Sequence, residues 1–461
     1  MTVNLTGGRI SGRRKRLRLI GGLLLAAIPL LPSTSRAGEV RAFSLQAARE
    51  FAVENSFEAR RSQIDVQTAR QKLKETVAVG LPQISSAVTY NNNLRLPTSL
   101  IPNFFEGKPE EKIPIQFGTQ HNATANVQIQ QLVFNGSYFV GLQTAGLYQQ
   151  VADHGLERTR LQVRETVTGT YYLILVTAEN ERILKSTLDN ITKTAGEIRE
   201  LHREGFLSET DADLIQITVN QIENTLRTLE KQRDIAEKLL KFQMGLDLEE
   251  DITLTDSLQT IIRNVDIASA LDSEFNPAES VDLKLVEGQA RLAELALKNE
   301  KVKSLPTVSA FFTYQQNAFR SQFDFFNFDR NWFPFQILGI NISLPVFRSG
   351  AQSARIQQAG LAAEQARNTA LQAARGLELE DEQARTRLSS ALDNRRTMEA
   401  NLALAERVYD VTREKYREGL ASSLELTQAS DKHLQAQSSY IQALLDLLNA
   451  KNRLDRIRQA Y

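Results

Sequence analysis

The sequence predicts a mixed α/β chain built twice on one plan, with long α-helical hairpins and pairs of amphipathic β-strands. The first observation is an Arg-Glu-Gly motif that ends at Gly205 and again at Gly419, each time after a long stretch of helical composition. Glycine readily takes the left-handed backbone that ends a helix, so each motif indicates the tip of a hairpin. The second observation is that shorter motifs recur upstream in the same order: Leu-Pro at 81–82 and 305–306, and Val-Phe at 133–134 and 346–347.

This internal duplication sets the expected domain organisation. The separation of the two tip glycines, 214 residues, is too long for a common solenoid repeat, so one large unit is made twice. We expect a first structural repeat at 38–250, an irregular equatorial junction at 251–280 and a second repeat at 281–461. Each repeat should contain a helix, two strands, a long helix, a tip and a returning helix.

A serine follows each tip glycine and should begin the returning helix. Asp211 comes three residues after Ser208, and Glu425 three residues after Ser422. This is the spacing of a capping box, in which the serine and the acid satisfy free backbone N–H groups at a helix N-terminus. Both carboxylates are therefore expected to cap helices, whether or not they also serve another purpose.

Long helices are expected before each tip, because residues 136–204 and 350–418 contain no proline. At about 1.5 Å per residue, each would be about 100 Å long. Shorter returning helices are expected at 208–243 and 422–456, and another helix at 44–80. Part of the first long helix has a heptad register, with Leu156, Val163, Thr170, Thr177, Leu184, Ile191 and Ile198 at one position and Val167, Ile174, Leu188 and Ala195 four residues on.

In four stretches, apolar and polar residues alternate with a period of two, so that each strand has one apolar and one polar face. This pattern is typical of the wall of a transmembrane β-barrel. Their apolar residues are Ile84, Val88 and Tyr90; Ala123, Ala125, Val127 and Ile129; Val308, Ala310, Phe312 and Tyr314; and Leu338, Ile340, Ile342 and Leu344. The first pair is joined by a polar loop at 91–121 and the second by an aromatic-rich loop at 315–334. These aromatic residues suggest either a belt at a membrane interface or a packed cluster under a loop.

The first 37 residues resemble a secretory signal peptide. A basic segment precedes a 13-residue apolar run, Leu19 to Leu31, and small residues follow at a cleavage site after Ala37. Removal would take away seven of the 55 basic residues and none of the 55 acidic ones, which leaves a net charge of −7. A mildly acidic exported chain gives no support to nucleic-acid binding, and the absence of cysteine excludes disulfides and thiolate sites.

Four strands cannot close a barrel in lipid, because an open sheet edge would leave backbone groups unpaired. Copies of the chain must therefore pool their strands. Two copies would give eight strands and a filled interior, whereas three would give twelve strands and room for a channel.

The order of elements resembles the TolC-like outer-membrane efflux protein family over essentially the whole mature chain. The motifs that carry the resemblance are the prolines before the strands (Pro82, Pro306), the entry to the second long helix (Val346, Phe347, Gly350), and Tyr416 three residues before Gly419 with Ser422 after it. The resemblance implies a homotrimer with a 12-stranded transmembrane β-barrel in the outer membrane of a Gram-negative-type cell and a periplasmic α-barrel. It also implies a passive exit duct for a tripartite efflux or type I secretion system, with a periplasmic adaptor and an RND- or ABC-type inner-membrane pump.

The resemblance also implies a constriction just after the tips. By position, its residues would be Asp211, Glu425, Thr210, Tyr416 and Gln428. The pattern is incomplete, because Ala421 stands where a basic latch residue is expected and Gln428 replaces a second acid. The surface that meets the adaptor would be formed by Arg203, Gly205, Phe206, Ser208, Arg417, Gly419, Leu420 and Ser422.

Two other classes of function, an enzyme and a soluble adaptor, fit the sequence less well. An enzyme is not expected, because the four histidines are dispersed without a serine or carboxylate framework and no phosphate-binding glycine loop follows a strand. No cofactor or metal is expected either. A soluble periplasmic coiled-coil adaptor would explain the hairpins and the export signal, but it would not explain the four amphipathic strands.

Overall fold

The computed structural model describes residues 41–461 except 104–106, 265 and 328, so the predicted signal peptide lies outside the described residues. The described helices are α1 (Leu45–Asn55), α2 (Phe57–Val79), α3 (Gly136–Arg203), α4 (Glu209–Met244), α5 (Leu258–Asn264), α6 (Ile267–Asp272), α7 (Val281–Val302), α8 (Ala351–Arg417) and α9 (Ser423–Arg458). The described strands are β1 (Arg41–Phe43), β2 (Gln83–Asn92), β3 (Thr98–Asn103), β4 (Lys108–Gln116), β5 (His121–Phe134), β6 (Ile252–Leu254), β7 (Thr307–Arg320) and β8 (Phe333–Ser343).

The long helices α3 and α8 have 68 and 67 residues, close to the lengths that the sequence predicts. Each packs against its returning helix, α4 or α9, and α3 also contacts α9. The predicted heptad register is found, because its central members face the interior. Those buried are Val163, Val167, Thr170, Ile174, Thr177, Leu184, Ile191, Ala195 and Ile198.

The helix predicted at 44–80 is wrong in one respect, because it is two helices that meet at Ser56. The Ser56 N–H donates to the Ala52 carbonyl and so ends α1, while its hydroxyl accepts from the Ala59 N–H and begins α2. A serine can satisfy both helix ends at once, so the chain turns here without glycine or proline.

The four predicted strands form one antiparallel sheet in the order β2-β5-β7-β8. Directly opposed residues lie on the same face, and the row Ile84, Ile129, Phe312 and Leu338 crosses all four strands. The opposite face carries mainly amide and hydroxyl side chains, such as Gln128 and Thr313. All four strands connect to helices at one end of the sheet and to loops at the other.

The first loop, predicted as irregular over 91–121, contains a β-hairpin that the sequence did not reveal. Strands β3 and β4 pair with each other, so that Leu100 is opposite Pro114 and Pro102 opposite Lys112. Both strands of a two-stranded ribbon are edge strands, where proline is tolerated because its missing N–H can face outward. Proline in this segment was therefore a poor indicator of a loop.

The second loop is shorter than predicted, because β7 continues to Arg320 and β8 begins at Phe333. Its aromatic residues pack on one another and on the first strand pair. The Phe323 and Tyr90 rings lie 5.3 Å apart, and the Tyr90 hydroxyl is 2.8 Å from His121 Nδ1. Phe326 remains 80% exposed.

The predicted irregular junction at 251–280 contains β6, which pairs in parallel with β1, and the short helices α5 and α6. It is tied to the middle of α3 by Tyr171, whose buried hydroxyl lies 3.0 Å from both the Phe43 carbonyl oxygen and Asp256 Oδ2, either of which can accept its hydrogen. The same carboxylate accepts the backbone N–H of Leu45 at 2.7 Å.

Helices meet end to end in two places. The end of α4 abuts the start of α2, where Gly245 has a φ of 75° and a Cβ there would lie 2.4 Å from the Asn55 carbonyl oxygen. The Phe57 and Phe242 rings close this junction. The end of α9 meets the start of α7 through an ion pair of 2.9 Å between Arg456 and Asp282. A cavity of about 780 Å³ lies beside it, against about 100 Å³ at the first junction.

Two apolar cores lie along α3, one around Val167 and Tyr171 and one around Ile191 and Ile198. Gln437 of α9 separates them. Its side chain is 1% exposed, and neither amide atom has a hydrogen-bond partner in the described part of the chain. It lines two cavities, of about 440 and 220 Å³.

In the part of the chain that the structure describes, none of the helices combines the length and the apolar character that crossing a membrane would need.

Candidate gating site at the helix tips

Both tips end their long helices in the way that the sequence predicts. Gly205 and Gly419 have φ values of 82° and 74°. The Phe206 N–H donates to the Leu201 carbonyl at 2.9 Å, and the Leu420 N–H donates to the Lys415 carbonyl at 2.7 Å. This six-residue bond is the Schellman motif, which closes the last turn of a helix over a left-handed residue.

Both predicted capping boxes are present. At the first tip, the Ser208 N–H and hydroxyl donate to Asp211 Oδ2 at 3.1 and 2.7 Å, and the Asp211 N–H donates back to Ser208 Oγ at 3.3 Å. At the second tip, the corresponding distances between Ser422 and Glu425 are 2.7, 3.1 and 3.3 Å. The two acids therefore hold equivalent positions at the starts of α4 and α9.

Beyond its own box, Asp211 is influenced by the other tip. The Ser423 hydroxyl, with Ser208 second, holds the pKa of the Asp211 carboxyl below its usual range. Ser423 is buried at the start of α9, and its influence on Asp211 reflects the packing of α4 against α9. Sequence analysis missed Ser423, because nothing in its spacing distinguishes it from an ordinary second residue of a helix.

Tyr416, in the last turn of α8, lies in the same place. Burial raises the pKa of its hydroxyl, the neighbouring Ser423 lowers it, and the negative charge of Asp211 raises it again. Two of the predicted constriction residues, Asp211 and Tyr416, therefore both lie near Ser423, and the buried Tyr416 hydroxyl has no hydrogen-bond partner in the described part of the chain.

Glu425 has a different environment, although its motif is the same. Its side chain is exposed, and among the described residues its only hydrogen bonds are to Ser422. The Ser422 backbone N–H and then its hydroxyl lower the pKa of the Glu425 carboxyl. Thr210 and Gln428 are also exposed and follow the same helix starts. In a single chain these three side chains face solvent rather than Asp211.

At the outer surface of the tips, apolar side chains are exposed at the two turns, and charged side chains lie on the helices that precede them. Phe206 and Leu420 are 75% and 73% exposed. Arg203 pairs with Glu200 within α3 at 2.8 Å. Arg417 reaches from α8 to Glu197 of α3 at 3.6 Å and so adds an ion pair between the hairpins.

No group of three or more histidine, aspartate or glutamate side chains that could hold a metal ion occurs among the described residues.

The chain is similar to one known protein family and to several solved structures. Residues 279–458 match the family model described as outer membrane efflux protein. No curated protein sequence matches the chain.

Several solved structures share the fold. The outer membrane protein VceC of Vibrio cholerae is 15% identical, with a TM-score of 0.68 over 90% of this chain and 95% of that one. The CmeC outer membrane channel of Campylobacter jejuni is 14% identical, with a TM-score of 0.71 over 90% and 87%. The open MtrE outer membrane channel of Neisseria gonorrhoeae is 13% identical, with a TM-score of 0.69 over 90% and 88%.

The predicted resemblance and fold are confirmed by the family match and by these structures. The family match favours an outer-membrane efflux channel over a soluble periplasmic adaptor.

Proposed function

We propose that this chain, a TolC-like outer-membrane efflux protein by the findings above, forms a homotrimeric exit duct through which substrates leave the periplasm. An adaptor and an inner-membrane pump, of the RND or ABC type, would deliver the substrates, and the duct itself would conduct passively. The observation that carries this proposal is the four-stranded sheet, with one apolar and one polar face and with both edges open.

The apolar face fits lipid. Its side chains on the two edge strands are large and exposed in the single chain, as Ile84 and Val88 are on β2 and Leu338, Ile340 and Ile342 on β8. Such a surface would be unfavourable in water, since exposed apolar patches of this kind mark membrane or protein contacts. The polar face would then line the aqueous interior.

The open edges fit closure by copies of the same chain. Because each neighbouring pair in the sheet is antiparallel, the edge strands β2 and β8 run in opposite directions. Pairing β8 of one copy with β2 of the next therefore continues the antiparallel order. Three copies give twelve strands, which leave room for a channel, whereas two would give a filled interior.

The helices offer a matching contact between copies. Large apolar side chains are exposed on α4 and α8, and they lie at similar distances from the tips. Leu404 is 15 residues before Gly419, and Ile217 is 12 residues after Gly205. We infer that α8 of one copy packs against α4 of the next, so that these side chains are buried in the trimer.

The tips would meet the adaptor. Phe206 and Leu420 would provide exposed apolar side chains for this contact, and Arg203 and Arg417 would provide positive charges beside them. Gly205, Ser208, Gly419 and Ser422 shape the two turns that present these side chains.

The constriction would be formed by three copies of Asp211, Glu425, Thr210, Tyr416 and Gln428. Asp211 would help to hold the tips of one copy together beside Ser423, Tyr416 would pack next to them, and Glu425 would face the passing solution. Capping alone also accounts for both carboxylates, so the gating role depends on conduction measurements.

The proposal is tested by extracting the mature protein from outer membranes in detergent. We expect a trimer band that converts to monomer on heating, and ion conduction after insertion into planar bilayers. A monomer that stays in solution without detergent would overturn the proposal, as would a detergent-solubilised trimer that never conducts.

A further inference from the structure

The polarity of the sheet reverses within β8. From Leu338 to Ile342 the even-numbered residues are apolar and belong to the face that carries Ile84, Ile129 and Phe312. Before Leu338 the apolar residues are odd-numbered, namely Phe333, Phe335 and Ile337. The register between β7 and β8 is continuous from Asn317 to Thr307, so no bulge restores the alternation. These three side chains therefore lie on the mainly polar face, which also carries Phe311 opposite Gly339.

A fourth apolar side chain joins them from β7. Phe319 is opposite Asn122 on the polar face, and its ring centroid is 6.3 Å from that of Phe333. We call Phe319, Phe333, Phe335 and Ile337 the inner aromatic patch. Its members are between 41% and 53% exposed, so the described residues of the loops do not cover them.

Strand β2 of a neighbouring copy would not cover the patch either. In the proposed trimer, β8 pairs with β2 of the next copy. The side chains of β2 on the polar face include Ser85, Ala87 and Thr89, which are opposite Gln128, Asn126 and Thr124 of β5. These side chains are too small to bury phenylalanine rings, so the patch would stay open to the interior.

The polar face around the patch carries no charge. Its residues on the four described strands are amides, hydroxyls, small residues and apolar side chains, with no Asp, Glu, Lys or Arg among them. The nearest partners of the patch are Asn317 and Gln315, opposite Phe333 and Phe335. Such a wall does not select by net charge, but its exposed rings offer stacking and apolar contact.

We propose that the inner aromatic patch is a contact site for aromatic solutes near the loop end of the duct. The proposal rests on the proposed function, since only a closed trimer turns the polar face into an interior. It identifies the substrate class favoured by this wall: molecules with an aromatic ring, whether neutral or cationic, rather than inorganic ions or aliphatic solutes of the same charge.

The test compares two cations of equal charge as blockers of single trimers in planar bilayers. Benzyltriethylammonium carries a ring and tetraethylammonium does not. With the native protein we expect the aromatic cation to reduce the current at about tenfold lower concentration, and the double variant Phe333→Ser/Phe335→Ser to lose this preference. Phe326→Ser is the matched control, because it removes an aromatic ring from the loop and leaves the patch intact.

Trimer formation and conductance without blocker are measured for every variant. Should the double variant fail to form trimers, the single variant Phe335→Leu serves instead, with a partial loss of the preference expected. Equal block by the two cations in the native channel would overturn the proposal, and so would a preference that survives in variants that conduct normally. A native protein that does not conduct at all would instead overturn the proposed function.

Discussion

The two halves of the chain repeat one plan residue for residue around the returning helix, yet they use it differently. Gly245 lies 40 residues after the first tip glycine and Gln459 lies 40 residues after the second, and both end a helix in the left-handed conformation. Asp211 and Glu425 are likewise equivalent. The comparison shows that a shared backbone plan fixes the local geometry, whereas the neighbours decide what each residue does.

Substitutions at the two left-handed helix ends, Gly245 and Gln459, should differ most in their effect on stability. Gly245→Ala should destabilise the protein by more than about 2 kcal/mol, because the new Cβ meets a positive φ and the Asn55 carbonyl oxygen at 2.4 Å. Gln459→Gly should be neutral or stabilise by up to about 1 kcal/mol, because it relieves a left-handed side chain. The temperature at which the trimer dissociates measures both, and equal shifts for the pair would contradict the comparison.

The acids at the tips provide the next difference. Asp211→Asn should raise the resting conductance several-fold, because a charged acceptor next to Ser423 is replaced by a neutral one and charge-assisted hydrogen bonds are roughly twice as strong. Glu425→Gln should change conductance less and cation preference more, because this carboxylate faces solvent. Reversal potentials in a salt gradient separate the two effects. Unchanged current–voltage curves for Glu425→Gln would remove its gating role.

The environment of Asp211 also predicts that the resting conductance depends on pH. The folded-state pKa of Asp211 lies below its ordinary value of 3.8, so the contribution to tip closure that we propose for it would be complete above that value. The contribution is lost as the pH falls through the lower folded-state pKa. The resting conductance of the native protein should therefore rise on acidification below about pH 4, and that of Asp211→Asn should respond less. Identical pH profiles would assign the opening to another group.

The caps provide the smallest difference. Ser208→Ala and Ser422→Ala each remove a capping hydroxyl and should cost about 1 kcal/mol of helix stability. Ser208→Ala should lower the dissociation temperature slightly more, because its acid also contacts the other tip. Ser353→Ala, at an exposed site in the first turn of α8 that is not a cap, is the matched control and should have almost no effect.

Sequence patterns predicted the features that depend on near neighbours in the chain. The apolar row of the sheet follows from alternation at Ile84, Ile129, Phe312 and Leu338, and the capping boxes follow from a spacing of three residues. Both depend on local geometry that any chain of this pattern must adopt.

Features that depend on distant neighbours were not predictable. Asp211 and Ser423 are close in space but more than 200 positions apart in the chain, and no pattern in either segment predicts that they meet. The division of the first helix at Ser56 was missed because a single serine caps both halves. The β3–β4 hairpin was missed because prolines, which interrupt central strands, are compatible with a ribbon of two edges.

Gln437 gives the helical hairpins an uneven resistance to unfolding. Because it interrupts the apolar packing between the two cores and lines cavities on both sides, the segment near the tips is less firmly coupled to the equator than a continuous seam would be. We therefore expect the amide hydrogens near the tips to exchange faster than those of the equatorial half, which hydrogen-exchange measurements would show. In the proposed duct, this difference would let the base open without loosening the wall above.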